Sequence, residues 1–162
     1  MSGRERKYVL DSNLFIRGFR EPEANRALQD FHRLFAPFEY LSAVVAQELR
    51  AGARTLAARR LLERHVLGLY ERRGRVIVPS EVAWHRSGDV MAELAWREGL
   101  DVSRVSKAFG NDALIAMSCR DSGMVLVTEN RRDFERIAGV VRFEFVGPWP
   151  RPVSPEQPSR GR

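Results

Sequence analysis

Three acidic residues that lie far apart in the sequence have the types and setting to hold a metal ion together. Asp11 lies in YVLDSNLFI, Glu48 in SAVVAQELRAG and Asp112 in GNDALIAMSC, and 37 and 64 positions separate successive acids. Carboxylates without cysteine or histidine suit Mg²⁺ or Mn²⁺, which keep several waters and accept substrate phosphates. Such an ion polarises a phosphoryl oxygen and activates water, so the pattern predicts phosphodiester hydrolysis.

Taken alone, Asp11 also has a simpler explanation. Residues 7–10 predict a strand, and the apolar pattern resumes at Leu14. Asp11, Ser12 and Asn13 all have side chains that accept backbone N–H bonds well, so any of them could cap a helix that follows.

The other two acids have local explanations too. Glu48 could be an exposed helical acid that pairs with Arg50 or with nothing. Asn111 could cap a helix whose first turn favours Asp112 through the helix dipole. Each acid is explained separately in this way, but the three come from a strand end, a helix and a helix start, and a shared site explains them together.

Strand and helix patterns alternate along the chain. Strands are predicted at 7–10, 39–42, 75–78, 124–127 and 141–146, and helices at 24–35, 43–51, 55–72 and 81–98, with Ser80 as a cap. The helix at 24–35 is expected to bury Ala27, Leu28, Phe31, Leu34 and Phe35. Alternation favours an α/β fold with a parallel sheet, whose ligands bind beyond the carboxyl ends of the strands. Asp11 follows the first strand, and Thr128, Glu129 and Asn130 follow the fourth.

Four motifs in this order resemble those of PIN-domain nucleases. They are LDSNLFI, QELRAG, NDALIAM and LVTENRRDFERI, and the resemblance covers about residues 8–146. The chain's size and its last two motifs most resemble the VapC toxins of bacterial toxin–antitoxin pairs.

The resemblance implies a fold, an activity and partners. The fold would be a three-layer α/β sandwich with a five-stranded, mostly parallel sheet, and the activity would be Mg²⁺-dependent cleavage of RNA that leaves a 5′-phosphate. The family's toxins are expressed with a cognate antitoxin whose tail covers the acidic site, and the chain is expected to form a homodimer.

The resemblance also assigns roles by position. Asp11 and Asp112 would be metal ligands, Glu48 would ligate directly or through water, and Thr128 would brace the site. Many relatives place a fourth acid at the position of Asn130, which is therefore a candidate catalytic residue. Glu129 and Asp133 are possible supporting acids, although Asn130 could simply start a helix and Asp133 could cap it or form a salt bridge.

Positive charge is concentrated in one segment. The whole chain carries a net charge of +6, and residues 49–75, with eight arginines against two glutamates, account for the same excess. Arginines on a helix can neutralise RNA phosphates, which makes Arg59, Arg60 and Arg64 candidate RNA contacts. The alternative is an ordinary solvated helix face.

Composition sets further expectations. The single cysteine excludes an internal disulfide and agrees with a cytoplasmic protein, and no apolar run approaches the length of a membrane span. Residues 1–146 are expected to form one domain, and the proline-rich residues 147–162 a flexible tail.

Other classes of function fit less well. A phosphoacceptor domain would need a second acid beside Asp11 and a lysine after the last strand, and a dehalogenase-type phosphatase would need an aspartate at Asn13. A non-catalytic RNA-binding module, or a housekeeping RNA-processing PIN domain, is the better alternative because the basic segment could bind without cleavage.

Overall fold

A five-stranded parallel sheet forms the centre of the fold. The structure is a computed structural model that describes residues 5–99 and 101–151. The strands are β1 (Tyr8–Leu10), β2 (Glu39–Ser42), β3 (Val76–Ile77), β4 (Val125–Val127) and β5 (Phe145–Val146). Their order is β3-β2-β1-β4-β5, and all four strand pairs are parallel. The predicted α/β architecture and parallel sheet are confirmed.

The helices pack as two groups around this sheet. They are α1 (Ser12–Arg20), α2 (Pro22–Phe35), α3 (Ala43–Gly52), α4 (Leu56–Leu62), α5 (Gly68–Arg72), α6 (Glu81–Glu98), α7 (Lys107–Ser122) and α8 (Arg131–Ala138). The first group contains α1, which packs against α2 and α3, and the second contains α7, which packs against α6 and α8. With the sheet, these groups give the expected three-layer sandwich.

The two central strands are apolar because neighbouring elements cover both of their faces. Val9 and Leu10 of β1 and Leu126 and Val127 of β4 are fully buried. Continuous apolar runs of this kind are typical of strands in a parallel sheet covered by helices. Polar residues follow the apolar run of each strand at the carboxyl edge of the sheet: Asp11 after β1, and Thr128 to Asn130 after β4. The candidate active site lies at this edge.

Two helical predictions need correction. The helix predicted at 55–72 is interrupted by a π-helical turn, Glu63–Leu67, between α4 and α5. On the predicted apolar face of α2, Leu28, Phe31 and Phe35 are buried and Ala27 is half-buried. Leu34 is 57% exposed because the apolar stripe is narrower than the pattern indicated.

The predicted helix start at Asn111 is wrong. Helix α7 begins four residues earlier, at Lys107, and Ser106 caps it by accepting a 3.1 Å hydrogen bond from the Phe109 backbone N–H. Serine is a preferred cap, and it occurs before Asn111 in the chain. Asn111 and Asp112 therefore lie inside the helix, where their side chains are available for contacts with other elements.

The strand order reverses direction at β1. The chain moves outward from β1 through β2 to β3 and then returns past β1 to β4 and β5. The carboxyl ends of β1 and β4 consequently lie side by side at the switch point, where ligands bind in open α/β sheets.

The two ends of the domain are only partly described. Residues 152–162 of the predicted tail lie outside the described residues, and within the described part the Trp149 ring lies 5.3 Å from the Phe31 ring. Among the described helices, none is long and apolar enough to cross a membrane.

Candidate active site

Asp11 lies where β1 ends and α1 begins. It is 3% exposed, and its Oδ1 accepts a 2.8 Å hydrogen bond from the Ser12 backbone N–H. Its Oδ2 accepts from the Thr128 hydroxyl at 2.6 Å and from the Asn13 amide at 3.0 Å. Asp11 is thus the N-cap of α1, as the simpler explanation predicted, and it also lies beside the end of β4.

Glu48 projects from α3 toward α7. Its Oε1 accepts a 2.8 Å hydrogen bond from the Asn111 side chain. Arg50 does not pair with it, because Arg50 instead binds Glu63 at 2.7 Å and Glu71 at 2.9 Å. Glu48 is half-buried and joined to α7, so the interpretation of Glu48 as an ordinary exposed acid is wrong.

Asp112 is brought to the same place from the interior of α7. Its Oδ2 accepts a 3.1 Å hydrogen bond from the Asn130 amide. Burial raises the pKa of Asp112 to about 8, and the nearby charges of Asp11, Glu48 and Asp133 add to that rise against the lowering effect of Asn130. The charges of Asp112, Asp11, Glu48 and Asp133 therefore interact although these residues come from four separate segments.

The pKa of Asp11 is raised as well. Burial is the main cause, and the charge of Glu48 adds to it. The hydrogen bonds from Thr128, Ser12 and Asn13 act in the opposite direction because they favour the charged carboxylate. The site therefore carries negative charge at an electrostatic cost, which a bound cation would relieve.

The predicted acids fall into two groups by their counter-ions. Within the described residues, no lysine, arginine or histidine forms a salt bridge with Asp11, Glu48 or Asp112, which we call the three site acids. The two supporting acids are different. Glu129 binds Arg17 at 2.5 Å, and Asp133 binds Arg136 at 3.1 Å.

Asn130 joins two parts of the site. It is the N-cap of α8, and its side-chain oxygen accepts from the Asp133 backbone N–H at 3.5 Å. Its backbone N–H donates to the Thr128 hydroxyl at 3.0 Å, while its amide reaches both Asp112 and Asp133 at 3.1 Å. Asn130 therefore starts the helix, as the sequence allowed, and contacts a site acid as well.

The residues of the site fit Mg²⁺ or Mn²⁺ bound largely through water. Within residues 5–99 and 101–151, no three histidine, cysteine or acidic side chains lie close enough to hold a metal ion by themselves. Mg²⁺ does not need such a cage, because it is bound through one or two carboxylates together with waters and substrate phosphates. An all-oxygen donor set suits that mode of binding, since it has no described counter-ion and the pKa values of Asp11 and Asp112 are raised.

The three candidate RNA-binding arginines lie elsewhere. Arg59, Arg60 and Arg64 are exposed on α4 and the π turn, and no hydrogen bond or salt bridge in the described residues joins them to a site acid. Arg59 donates from Nε to the Ala53 carbonyl at 3.1 Å.

A groove leads away from Glu48. It has a volume of about 950 Å³ and lies between the α1–α2 pair and the segment from α3 to the π turn. Apolar residues from both sides line most of it, among them Ile16, Phe19, Leu49, Ala58, Leu62 and Val66. Phe19 is 52% exposed there. The groove thus presents a mainly apolar surface whose lining also includes Glu48 and charged residues such as Arg20 and Glu21.

Comparison with known proteins identifies the family. The PIN domain model matches residues 8–140, and the chain belongs to the PIN-domain family. PIN domains are nucleases, which supports hydrolase activity. A comparison with curated proteins finds no match.

Several solved structures share the fold. The DNA-bound VapBC structure from Salmonella typhimurium is 30% identical, has a TM-score of 0.65, and aligns over 88% of this chain and 98% of that chain. VapBC-1 from nontypeable Haemophilus influenzae is 22% identical over 86% and 96% of the two chains, with a TM-score of 0.59. A toxin–antitoxin complex from Klebsiella pneumoniae is 22% identical over 88% and 98%, with a TM-score of 0.54.

Sequence reasoning missed two residues that contact the site acids. The sequence pattern indicates a helix cap for Asn13 and for Asn111, yet each donates a side-chain hydrogen bond to a site acid. The available signal was proximity, because Asn13 lies two positions after Asp11 and Asn111 directly precedes Asp112.

Proposed function

We propose that this protein is a cytoplasmic, metal-dependent endoribonuclease and the toxin of a toxin–antitoxin pair. The observation that carries the proposal is a hydrogen-bond network at the carboxyl edge of the sheet. Thr128 and Asn130 connect Asp11 with Asp112, and Asn111, the neighbour of Asp112, binds Glu48. None of the three acids has a described counter-ion. Burying such charges is costly, and the cost is met at sites that bind a cation. Family membership and the VapBC neighbours support this function.

Each residue of the site has a defined task in this proposal. Asp11 and Asp112 would hold Mg²⁺ or Mn²⁺, and Glu48 would hold the ion directly or through water and orient the attacking water. Thr128 keeps Asp11 in place through its 2.6 Å hydrogen bond. Asn130 does the same for Asp112 at 3.1 Å. The bound ion supplies polarisation of the phosphoryl oxygen and lowers the pKa of water.

The arginine-rich segment would bind the RNA backbone. Arg59, Arg60 and Arg64 are exposed on the element that forms one wall of the groove beside Glu48. Guanidinium groups pair well with phosphate oxygens and need no particular base sequence. They would hold RNA of many sequences near the acids.

The groove would receive the antitoxin. We expect apolar residues of the partner to lie along its walls and an arginine or lysine of the partner to reach Asp11, Glu48 and Asp112. A guanidinium suits this position because it binds carboxylates in a bidentate manner and the site acids have no described counter-ion. We also propose that the toxin forms a homodimer.

Cleavage of a mixed RNA panel tests the nuclease. Purified protein is incubated with transfer, ribosomal and messenger RNA in Mg²⁺, in Mn²⁺ and with a chelator. We expect new 5′-phosphate ends that require the metal. RNA binding without cleavage in either metal would replace this proposal with the non-catalytic RNA-binding function.

Expression in a bacterial host tests the toxin assignment. The wild-type chain alone should arrest growth, and co-expression with the protein encoded immediately upstream should relieve the arrest. Asp11→Asn should make the upstream protein unnecessary. Harmless expression of an active wild-type ribonuclease would favour a housekeeping PIN domain.

A further inference from the structure

Each of the three site acids accepts a hydrogen bond from a different asparagine. The pairs are Asn13 with Asp11 at 3.0 Å, Asn111 with Glu48 at 2.8 Å and Asn130 with Asp112 at 3.1 Å. The three donors come from α1, the interior of α7 and the start of α8. Asparagine side chains at three separate positions thus each donate a hydrogen bond to a different site acid.

Asparagine suits all three positions because its side chain can orient a carboxylate without neutralising it. A lysine or arginine would also orient a carboxylate, but it would neutralise the charge that attracts a cation. The amide donates a hydrogen bond and adds no charge. Its N–H also favours the charged carboxylate, and accordingly Asn13 and Asn130 lower the pKa values of Asp11 and Asp112 against the effect of burial.

Asn13 has an arrangement that packing alone does not explain. Its amide donates to Asp11 at 3.0 Å and to the Thr128 hydroxyl at 3.3 Å. Its own side-chain oxygen is buried and has no hydrogen-bond partner among the described residues. A buried acceptor without a partner is costly, and an apolar residue would avoid that cost. The two N–H bonds are therefore the reason for an asparagine at this position.

Asn111 is likewise unexplained by its own helix. It lies inside α7, whose cap is Ser106, and asparagine is a poor residue for a helix interior. Its side chain instead connects α7 with α3 through Glu48. The contact spans 63 positions of sequence and fixes a long, flexible acid that α3 alone would leave mobile.

We propose that Asn13 and Asn111 are positioning residues that orient Asp11 and Glu48 for a divalent cation, in the way that Asn130 orients Asp112. This inference rests on the proposed function, because it requires that the site acids bind a metal. Loss of an N–H donor should weaken metal binding without changing which residues bind it. Outer partners of metal ligands typically contribute about 10-fold to 100-fold to metal affinity.

Mn²⁺ binding without RNA tests the inference. The affinity is measured from the free-Mn²⁺ electron paramagnetic resonance signal for wild type, Asn13→Leu and Asn111→Leu. Both variants remove the donor with little change in size, and we expect each to bind Mn²⁺ at least about 10-fold more weakly. Asn25→Leu on α2 is the matched control and should bind like wild type.

A rescue variant and a melting temperature separate positioning from folding. Asn111→Gln keeps an amide donor and should recover most of the affinity that Asn111→Leu loses. The metal-free melting temperatures of Asn13→Leu and Asn111→Leu should stay near that of wild type. A loss of affinity matched by a large loss of melting temperature in both variants, with no recovery in Asn111→Gln, would overturn the inference in favour of a structural role.

The inference and the proposed function fail in different ways. If wild type binds Mn²⁺ and cleaves RNA while both leucine variants bind Mn²⁺ equally well, only the positioning role is wrong. If wild type neither binds Mn²⁺ nor cleaves RNA, the proposed function is wrong and the positioning role falls with it.

Discussion

The acidic site and the arginine-rich segment of residues 49–75 hold their charges in opposite ways. The three site acids lie at the carboxyl edge of the sheet, and among the described residues only neutral groups such as Thr128 and asparagine amides donate to them. The segment keeps its arginines largely exposed, and Arg50 binds both of its glutamates, Glu63 and Glu71. The site acids are buried or half-buried without a described counter-ion, whereas the segment keeps a net charge of +6 that is largely exposed to solvent.

Buried charges and exposed charges differ in how strongly they indicate a ligand-binding site. Exposed ion pairs contribute about 0 to 1 kcal/mol and are tolerated almost anywhere on a surface. Burying a carboxylate opposes folding in its charged form, and burial is the main reason that the pKa of Asp112 rises to about 8. The acids consequently point to a ligand more strongly than the arginines do.

The largest expected effect is the loss of cleavage in Asp11→Asn or Asp112→Asn. Each change removes one negative charge from the metal site and should reduce RNA cleavage in Mg²⁺ by at least about 100-fold. The folded state should persist, since asparagine also caps helices and repulsion is relieved. Full activity in either variant would contradict the site assignment. Asp30→Asn, which breaks an exposed pair with Arg33, is the control and should cleave like wild type.

The stability of the metal-free protein should fall as pH rises. Asp112 has a pKa of 3.8 in its unperturbed form and about 8 in the fold, so between these values the folded state binds one proton more. The free energy of unfolding therefore decreases from about pH 4 to pH 8 and then levels off. Urea unfolding at several pH values measures this trend, which should be weaker in Asp112→Asn. An identical pH dependence in the variant would show that Asp112 is not its source.

A smaller effect is expected in the arginine-rich segment, whose π turn depends on Gly68. A Cβ there would lie 2.6 Å from the Glu63 carbonyl oxygen, so Gly68→Ala should destabilise the fold by about 1 to 3 kcal/mol. Gly52→Ala meets no atom within 4 Å and should leave stability unchanged or slightly increased. Thermal melting compares the two, and equal melting temperatures would mean that the turn adapts easily.

The smallest effect concerns the exposed arginines. Replacing Arg59, Arg60 or Arg64 by glutamine should weaken binding to all RNA sequences and lower the salt dependence of log K by about 0.7 for each phosphate that is no longer neutralised. RNA binding by a catalytically inactive Asp112→Asn background at several salt concentrations measures the slope. Arg33→Gln, on α2, is the control. An unchanged slope would mean that these arginines form an ordinary solvated helix face and that only the acidic site contacts RNA.

Local patterns were sufficient for most of the secondary structure. Apolar runs placed all five strands, and β2 at Glu39–Ser42 has the predicted bounds. The other four strands are shorter than predicted, β3 and β5 by the most. Ser80 caps α6 as its position before an apolar run indicated. These features depend on neighbouring residues in the chain, and so the sequence shows them directly.

The sequence alone also predicted, through the order of four motifs, which acids form one site, and it placed Asp11 at a strand end. The tertiary structure decided how they are held. Thr128 and Asp11 are separated by 117 positions and Asn111 and Glu48 by 63, so no local pattern specifies either hydrogen bond. The strand order brings the ends of β1 and β4 together, and the early start of α7 turns Asn111 and Asp112 from helix-cap residues into parts of the site. Periodicity reports which face of an element is buried, whereas the partner of a polar side chain is set by the packing of elements that are distant in sequence.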